Sequence, residues 1–167
     1  YEKNPTHNVG LLHGASGTCA VDIDNVENTK LIFEELGIDF SEVMNSAPQI
    51  IGRENRGKLI FKAPDDLTMH KISWPSKDDP RKTETIFELR AGPVQDVLPP
   101  SIHPDTGLPY RWSGMPIWDG LPELPSQLLN LWRNWDKLRT QLQDMCPWKK
   151  KAEFQPTRKP RPKGEST

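Results

Sequence analysis

A short apolar strand that ends in two acids constrains the fold of this chain more than any other feature. Residues 18–25 read Thr-Cys-Ala-Val-Asp-Ile-Asp-Asn. Side chains alternate along a strand, so Asp22 and Asp24 share one face while Val21 and Ile23 share the other. Two carboxylates about 6–7 Å apart on one face require water, hydrogen bonds or a cation. Two interpretations follow: the pair binds a divalent metal, or Asp22 is solvated and the following residues cap a helix.

Two later segments repeat this division into an apolar face and a charged face. Lys58 and Lys62 alternate with apolar residues in one predicted strand, and Glu88 and Arg90 do so in another over residues 85–90. If these strands pair in one sheet, their charged faces coincide. Charges are ordinary on the solvent face of a sheet, but here acids and bases are sorted together. Acids hold Mg²⁺ or Mn²⁺ through hard oxygens, and bases bind the phosphates that such ions bridge.

The remaining pattern predicts further strands and two helices. In the predicted strand over residues 85–90, Ile86 alternates in step with Glu88 and Arg90, so we expect it on the charged face. Residues 13–17 and 53–57 are interpreted as hairpin loops, the first joining residues 9–12 to the acid-ended strand. Other strands are predicted at residues 49–52, 70–74, 94–98 and 110–112, and helices at residues 26–36 and 126–145. Gly37 is expected to stop the first helix, and the Trp residues of the second are interpreted as core or docking contacts.

Composition divides the chain into a body and a tail. The segment from Lys149 onward holds seven of the 22 Lys and Arg residues but two of the 23 Asp and Glu residues, so the first 148 residues carry a net charge of −6. We therefore predict one domain over residues 1–148 and a basic, proline-rich tail or linker over residues 149–167, which could also add phosphate affinity. The sequence starts at Tyr1 without a methionine, so we expect a piece of a longer chain.

Cysteine usage and hydropathy indicate the cellular setting. Cys19 and Cys146 are far apart and show neither metal-ligand spacing nor a disulfide framework, which favours a reduced, cytoplasmic protein. No run approaches the roughly 20 apolar residues of a membrane span. We expect no membrane partner.

Four segments, taken in order, carry a family resemblance over residues 4–132. They are Asn8-Val-Gly-Leu-Leu leading to Val21-Asp-Ile-Asp24; Arg56-Gly-Lys-Leu-Ile-Phe61; Phe87-Glu-Leu-Arg90; and Pro99-Pro-Ser-Ile-His-Pro104 followed by Gly107 and Tyr110-Arg-Trp112. The chain resembles the amino-terminal primase-polymerase domain of the archaeo-eukaryotic primase superfamily. This is the type that plasmids, phages and prophages encode, often fused to a helicase.

The resemblance implies a fold and a set of site residues. The fold is α+β and RRM-like, with a mostly antiparallel sheet, helices on one face and an open catalytic face. Asp22, Asp24 and Glu88 correspond to the catalytic acids that hold two Mg²⁺ or Mn²⁺ ions. Lys58 stands where the family commonly has a nucleotide-binding histidine, and lysine also binds phosphate. The expected nucleotide-binding residues are Arg56, Lys58, Arg90 and His103, although His103 could equally make a structural contact in its turn.

The implied function is that of a template-dependent DNA primase and polymerase in mobile-element replication. Its partners would be a DNA template and primer, a dNTP or NTP, and a helicase domain in the full-length chain. Two alternatives remain open. One is a catalytically weakened domain that binds nucleic acid or nucleotide for an attached helicase, and the other is a metal-dependent phosphodiesterase or nuclease.

Overall fold

The computed structural model describes residues 7–149. Its strands are β1 (Val9–Leu12), β2 (Thr18–Ile23), β3 (Pro48–Ile51), β4 (Gly57–Lys62), β5 (His70–Pro75), β6 (Thr83–Arg90), β7 (Gln95–Leu98) and β8 (Arg111–Gly114). Its helices are α1 (His13–Ser16), α2 (Val26–Glu35), α3 (Phe40–Met44), α4 (Ser126–Arg133) and α5 (Trp135–Asp144). Most of the predicted tail therefore lies outside the described residues.

Six strands form one antiparallel sheet in the order β5-β6-β2-β4-β3-β8, and β1 pairs with β7 in a second, two-stranded sheet. The acid-ended strand β2 lies in the middle of the large sheet, between β4 and β6. Buried residues of α2, α3, α4 and α5 join one hydrophobic core on one face of that sheet. The predicted α+β fold, with a mostly antiparallel sheet and helices on one face, is confirmed.

The two faces of β2 differ as its alternation predicts. Cys19, Val21 and Ile23 lie in the main core under the helices, whereas Ala20 belongs to a second cluster on the opposite face. Ile50 and Ile60 of the large sheet complete this cluster. Leu11 and Leu98 of the small sheet pack against it, together with Tyr110, Trp112 and Leu121. The small sheet thus covers part of the face that carries the acids.

The first long helix begins directly after the two acids. Asn25 is the N-cap of α2, and its side chain accepts a hydrogen bond of 3.0 Å from the backbone N–H of Asn28. Gly37 has a φ of 70°, the left-handed conformation that ends helices. The predicted cap and stop are confirmed. The backbone N–H groups of Asp24 and Asn25 both donate to the carbonyl of Ile86, which ties the end of β2 to β6.

The predicted hairpin between residues 9–12 and 18–23 is wrong. Residues 13–16 form α1, a single helical turn, and β1 pairs with β7 instead of β2. Backbone N–H groups of His13 and Gly14 donate to the carbonyls of Val94 and Gly92. These bonds direct the chain toward β7, and the buried His13 side chain fixes the turn there.

The C-terminal helix prediction is also partly wrong, because residues 126–145 form two helices that meet at Asn134. The Asn134 side chain donates to the backbone carbonyl and the side-chain oxygen of Asn130, one turn earlier. Such a bond competes with the helical backbone and bends a helix. Trp132 and Trp135 are both buried in the core, as predicted, so the bend keeps both rings against the sheet.

Ile86 does not lie on the charged face of β6. The β5–β6 register passes from Ile72 opposite Phe87 to Ser73 opposite Thr85, which leaves Ile86 as an extra residue. This bulge turns Ile86 into the main core beside Phe87, where it is fully buried.

Within residues 7–149, no helix is long and apolar enough to cross a membrane.

Candidate active site

Three charged side chains form a row across adjacent strands. Asp22 on β2 lies opposite Lys58 on β4 and opposite Glu88 on β6. Directly opposed residues of antiparallel strands face the same side, with Cβ atoms about 4.5–5.5 Å apart. The register of β2 with β4 and β6 therefore confirms the prediction that their charged faces coincide. Lys58 Nζ lies 3.1 Å from Asp22 Oδ2.

The other predicted site residues extend this row at both ends. Arg56 donates to Asp24 Oδ1 at 3.1 Å from the loop before β4. Arg90 pairs with Glu88 on the same strand, and its second terminal nitrogen donates to the carbonyl of Gln95 at 3.0 Å. Each of the three predicted metal-binding acids is thus paired with one of the three predicted phosphate-binding bases.

Asp96, a residue that the sequence analysis missed, lies beneath the row. Its Oδ1 contacts Lys58 Nζ and lies 2.9 Å from Arg90 Nε, and its Oδ2 accepts from His13 Nε2 at 2.6 Å. His13 Nδ1 lies 2.8 Å from the hydroxyl of Thr18. The available signal was a single acid inside the apolar stretch Val94–Leu98, since an isolated charge in a strand needs a partner.

The arrangement around Arg90 leaves one donor without a hydrogen bond. Arg90 Nε is close to Asp96, but its N–H does not point at the carboxylate. Within the described part of the chain, this Nε is the one buried side-chain nitrogen or oxygen without a hydrogen-bond partner. Asp96 therefore holds Arg90 by charge rather than by a directed bond.

The basic partners of Asp22 and Asp24 only partly offset the burial and mutual repulsion of these two carboxylates. Burial, together with the negative charge of Asp96, raises the pKa of Asp22 despite its contact with Lys58. Burial, together with repulsion from Asp22 and Glu88, raises the pKa of Asp24 to about 6 despite its contact with Arg56. An added cation would relieve this unfavourable concentration of negative charge.

Asp96 and Lys58, in contrast, have neighbours that stabilise their charged forms. Burial alone would raise the pKa of Asp96, but the hydrogen bond from His13 and the charges of Lys58 and Arg90 lower it to about 2. Burial alone would lower the pKa of Lys58, but Asp22 and Asp96 raise it above its ordinary value. Both groups are charged at neutral pH.

Two clefts meet at Asp22, Asp24 and Arg56. The first has a volume of about 340 Å³ and is also lined by Lys58 and His103. The second has a volume of about 560 Å³ and extends along β6. Its further lining residues are Asn25, Thr83, Glu84, Thr85 and Glu88. Each of these two clefts is lined by four acids, and those of the first include the edge of Asp96. The first cleft also carries most of the bases, because Arg56 is the one Lys or Arg side chain that lines the second.

His103 lies at the far wall of the first cleft. Its ring is 5.1 Å from that of Tyr110, and its Nδ1 accepts from the backbone N–H of Asp105 at 3.1 Å. A Cβ atom at Gly52 would overlap both rings, so glycine at this position allows them to approach the end of β3. His103 therefore makes a structural contact in its turn and also faces the cleft.

The donor set fits a divalent metal by its chemistry. Asp22, Asp24 and Glu88 offer hard carboxylate oxygens on one face of adjacent strands, and two of them have raised pKa values. Among residues 7–149, however, no three His, Cys, Asp or Glu side chains are gathered in a geometry that could hold one ion. The three acids are turned toward their basic partners instead.

Comparison with known families identifies the domain. The model of the Prim-Pol family, described as the N-terminal domain of bifunctional DNA primase/polymerase, matches residues 1–127. The chain belongs to the Prim-Pol family. Neither a search of curated proteins nor a search of solved structures found a match. The predicted resemblance is confirmed, and membership implies DNA primase/polymerase activity in general.

Proposed function

We propose that this Prim-Pol domain is a template-dependent DNA primase and polymerase of mobile-element replication. It transfers a nucleotide from a dNTP or NTP to the 3′-hydroxyl of a primer strand and works beside a helicase domain. The observation that carries this proposal is the row formed by Glu88, Asp22 and Lys58 across three adjacent strands. Nucleotidyl transfer needs acids for the metal ions and bases for the triphosphate side by side, and this row supplies both.

The acids form the metal-binding half of the proposed site. Asp22, Asp24 and Glu88 would hold two Mg²⁺ or Mn²⁺ ions. When bound, such ions stabilise the attacking hydroxyl and the leaving pyrophosphate. Glu88 also lines the second cleft. We assign this second cleft to the 3′ end of the primer, because the first cleft is assigned to the incoming nucleotide.

The bases form the triphosphate-binding half. Arg56, Lys58 and His103 line the first cleft, whose volume suits a small ligand, and we assign that cleft to the incoming nucleotide. Arg90 lines neither of the two clefts, but it shares Asp96 with Lys58 and so adds positive charge behind the phosphate-binding lysine. Lysine binds phosphate as a point charge, so Lys58 can take the role that histidine has in related domains.

An extension assay with a labelled primer on a template, dNTPs or NTPs, and Mg²⁺ or Mn²⁺ tests the proposal. The wild type is expected to lengthen the primer. The double variant Asp22→Asn, Asp24→Asn is expected to lose extension while its circular dichroism spectrum stays unchanged. A matched control is the double variant Asp65→Asn, Asp66→Asn, which removes two exposed acids that line neither cleft.

The other outcomes are equally informative. Degradation of the primer by the wild type would indicate a phosphodiesterase, and a mobility shift without synthesis would indicate a binding domain. Extension by the Asp22, Asp24 double variant would disprove the assignment of these acids.

A further inference from the structure

We infer that His13 and Asp96 are positioning residues that hold the Lys58 ammonium and the Arg90 guanidinium in place for the triphosphate. The inference rests on the proposed function, because it gives these bases their ligand. His13 and Asp96 form a buried layer beneath the charged row. The small β1–β7 sheet brings both residues to this position.

The contacts of Asp96 carry the inference. One carboxylate oxygen, Oδ1, contacts Lys58 Nζ and lies 2.9 Å from Arg90 Nε, so it stands between two cations from different strands. The other oxygen, Oδ2, accepts a hydrogen bond of 2.6 Å from His13 Nε2. Asp96 is 2% exposed and His13 is fully buried. Neither residue can therefore be a solvated surface group.

The position of Asp96 in the fold is specific. It lies on β7, opposite Leu11 of β1, and His13 follows β1 directly. Lys58 and Arg90 belong to β4 and β6 of the large sheet, on either side of β2. The two-stranded sheet therefore brings one acid and one imidazole to the two bases of the other sheet.

A role in stability alone explains this arrangement poorly. Burying a carboxylate and its cationic partners carries a large desolvation cost, and well-packed apolar residues often serve stability as well or better. Lys58 and Arg90 are both largely buried, with side chains 18% and 16% exposed, and their charges repel. Asp96 screens that repulsion and fixes the separation of the two groups.

Fixed bases matter for transfer, because small displacements of a positioned group can slow a reaction by about 100-fold. His13 touches neither base, so it acts through Asp96. Its Nε2–H donates to the ionised carboxylate, while Nδ1 is held by the Thr18 hydroxyl. This chain of contacts fixes the rotation of the carboxylate and hence the oxygen that faces the bases.

Two substitutions of His13 separate positioning from simple loss of packing. In His13→Gln the side-chain amide can still place a donor near the former Nε2, whereas in His13→Asn the shorter amide cannot reach Asp96. Asp96→Asn keeps the shape of the side chain and removes its charge. Val43→Ala, in the main core on the helical face, is the control for a general loss of stability.

We expect His13→Asn and Asp96→Asn to lower kcat for primer extension about tenfold, with the nucleotide Kd changed less than about threefold, because both bases keep their charge. His13→Gln should keep kcat within about threefold of the wild type. Val43→Ala should lower Tm without changing kcat. The inference is wrong if His13→Asn and Asp96→Asn lower only Tm, as Val43→Ala does.

A second measurement needs no activity. In ¹H–¹⁵N spectra of nucleotide-free protein with labelled lysine, the Lys58 ammonium should give a resolved signal, identified by its loss in Lys58→Arg. This signal should persist in His13→Gln and merge with the solvent-averaged lysine signals in His13→Asn and Asp96→Asn. An unchanged Lys58 signal in both of the latter variants would overturn the inference. If the wild type extends no primer, the proposed function fails, and this spectrum still decides whether Asp96 positions Lys58.

Discussion

At the scale of single residues, Lys58 connects the surface of the site to its interior. Its ammonium contacts Asp22, a proposed metal ligand, and Asp96, a buried acid from another sheet. Both acids raise its pKa and keep it charged. A lysine at this position can therefore hold a fixed positive charge beside the acids, which is what binding a triphosphate there requires.

Lys58→Ala should raise the KM for the nucleotide at least about tenfold, because one charged phosphate contact is worth about 1.5–3 kcal/mol. The control is Lys62→Ala on the same face of β4, where Lys62 is half exposed and pairs with Glu123 outside the first cleft. Steady-state primer extension at varied nucleotide concentration measures both. Equal KM values for the two variants would remove Lys58 from the nucleotide site.

Asp96 also predicts a pH dependence of stability. Its pKa is about 2 in the folded protein and ordinarily 3.8, so folding favours its ionised form. This stabilisation, about 2 kcal/mol, is fully present above about pH 4 and is lost as the pH falls through about 2. Asp24, with its raised pKa, has the opposite dependence, so a comparison of variants is needed.

Urea unfolding of the wild type and of Asp96→Asn between pH 6 and pH 2 isolates this effect. The difference between the unfolding free energies of the wild type and the variant should be about 2 kcal/mol smaller at the acid end of this range, because only the wild type has an ionised Asp96 to lose. A difference that stays constant across this range would show that the folded protein does not favour the ionised form.

At the scale of secondary-structure elements, β2 and α2 form a unit that sets where the acids stand. The strand ends at Ile23, Asp24 follows it, and Asn25 starts the helix. Backbone bonds from Asp24 and Asn25 to Ile86 hold this corner against β6, the strand that carries Glu88. The helix cap therefore contributes to the geometry of the acid row as well as to stability.

Asn25→Ala should lower the free energy of unfolding by about 1 kcal/mol, since it removes the acceptor for the Asn28 N–H. Asn25→Ser should restore most of this loss, because serine is an equally good N-cap. Lys30→Ala, at an exposed position of the same helix, should change stability by less than about 0.5 kcal/mol. Equal effects of Asn25→Ala and Lys30→Ala would contradict the capping role.

At the scale of the whole molecule, the folded unit extends beyond the family match. The match ends at residue 127, inside α4, but the main core continues through Leu131, Trp132, Trp135 and Leu142. Three indole N–H groups tie the C-terminal helices to β5 and its flanks. Trp74 donates to Leu142, Trp132 donates to Thr68, and Trp148 donates to Pro75.

A chain that ends at residue 127 should therefore fail to fold stably, whereas a chain that ends at residue 149 should melt as the full chain does. Burying a large apolar side chain is worth about 1.5–3 kcal/mol. Losing five of them, Leu128 included, removes an amount comparable to the whole stability of a domain, about 5–15 kcal/mol. Thermal melting and the binding of a dye to exposed apolar surface measure this. A cooperative melt of the shorter chain would show that α4 and α5 are dispensable.

The sequence alone determined the parts of this protein that depend on local periodicity and local chemistry. Alternation in β2, β4 and β6 placed Asp22, Lys58 and Glu88 on charged faces, and their register in the large sheet confirms it. Asn25 and Gly37 marked the ends of α2, because caps act within one helical turn. Four ordered segments were enough to indicate the family.

Only the tertiary structure decided which distant segments meet. The pairing of β1 with β7 joins residues 83 to 89 positions apart, from Leu12 opposite Gln95 to Val9 opposite Leu98. No local pattern at residues 9–17 could therefore distinguish it from a hairpin. The same pairing brings His13 and Asp96 beneath Lys58 and Arg90. The bulge at Ile86 likewise follows from packing against the core, which outweighs local periodicity. The sequence thus located the surface of the acid row, and the meeting of two sheets supplied the buried layer beneath it.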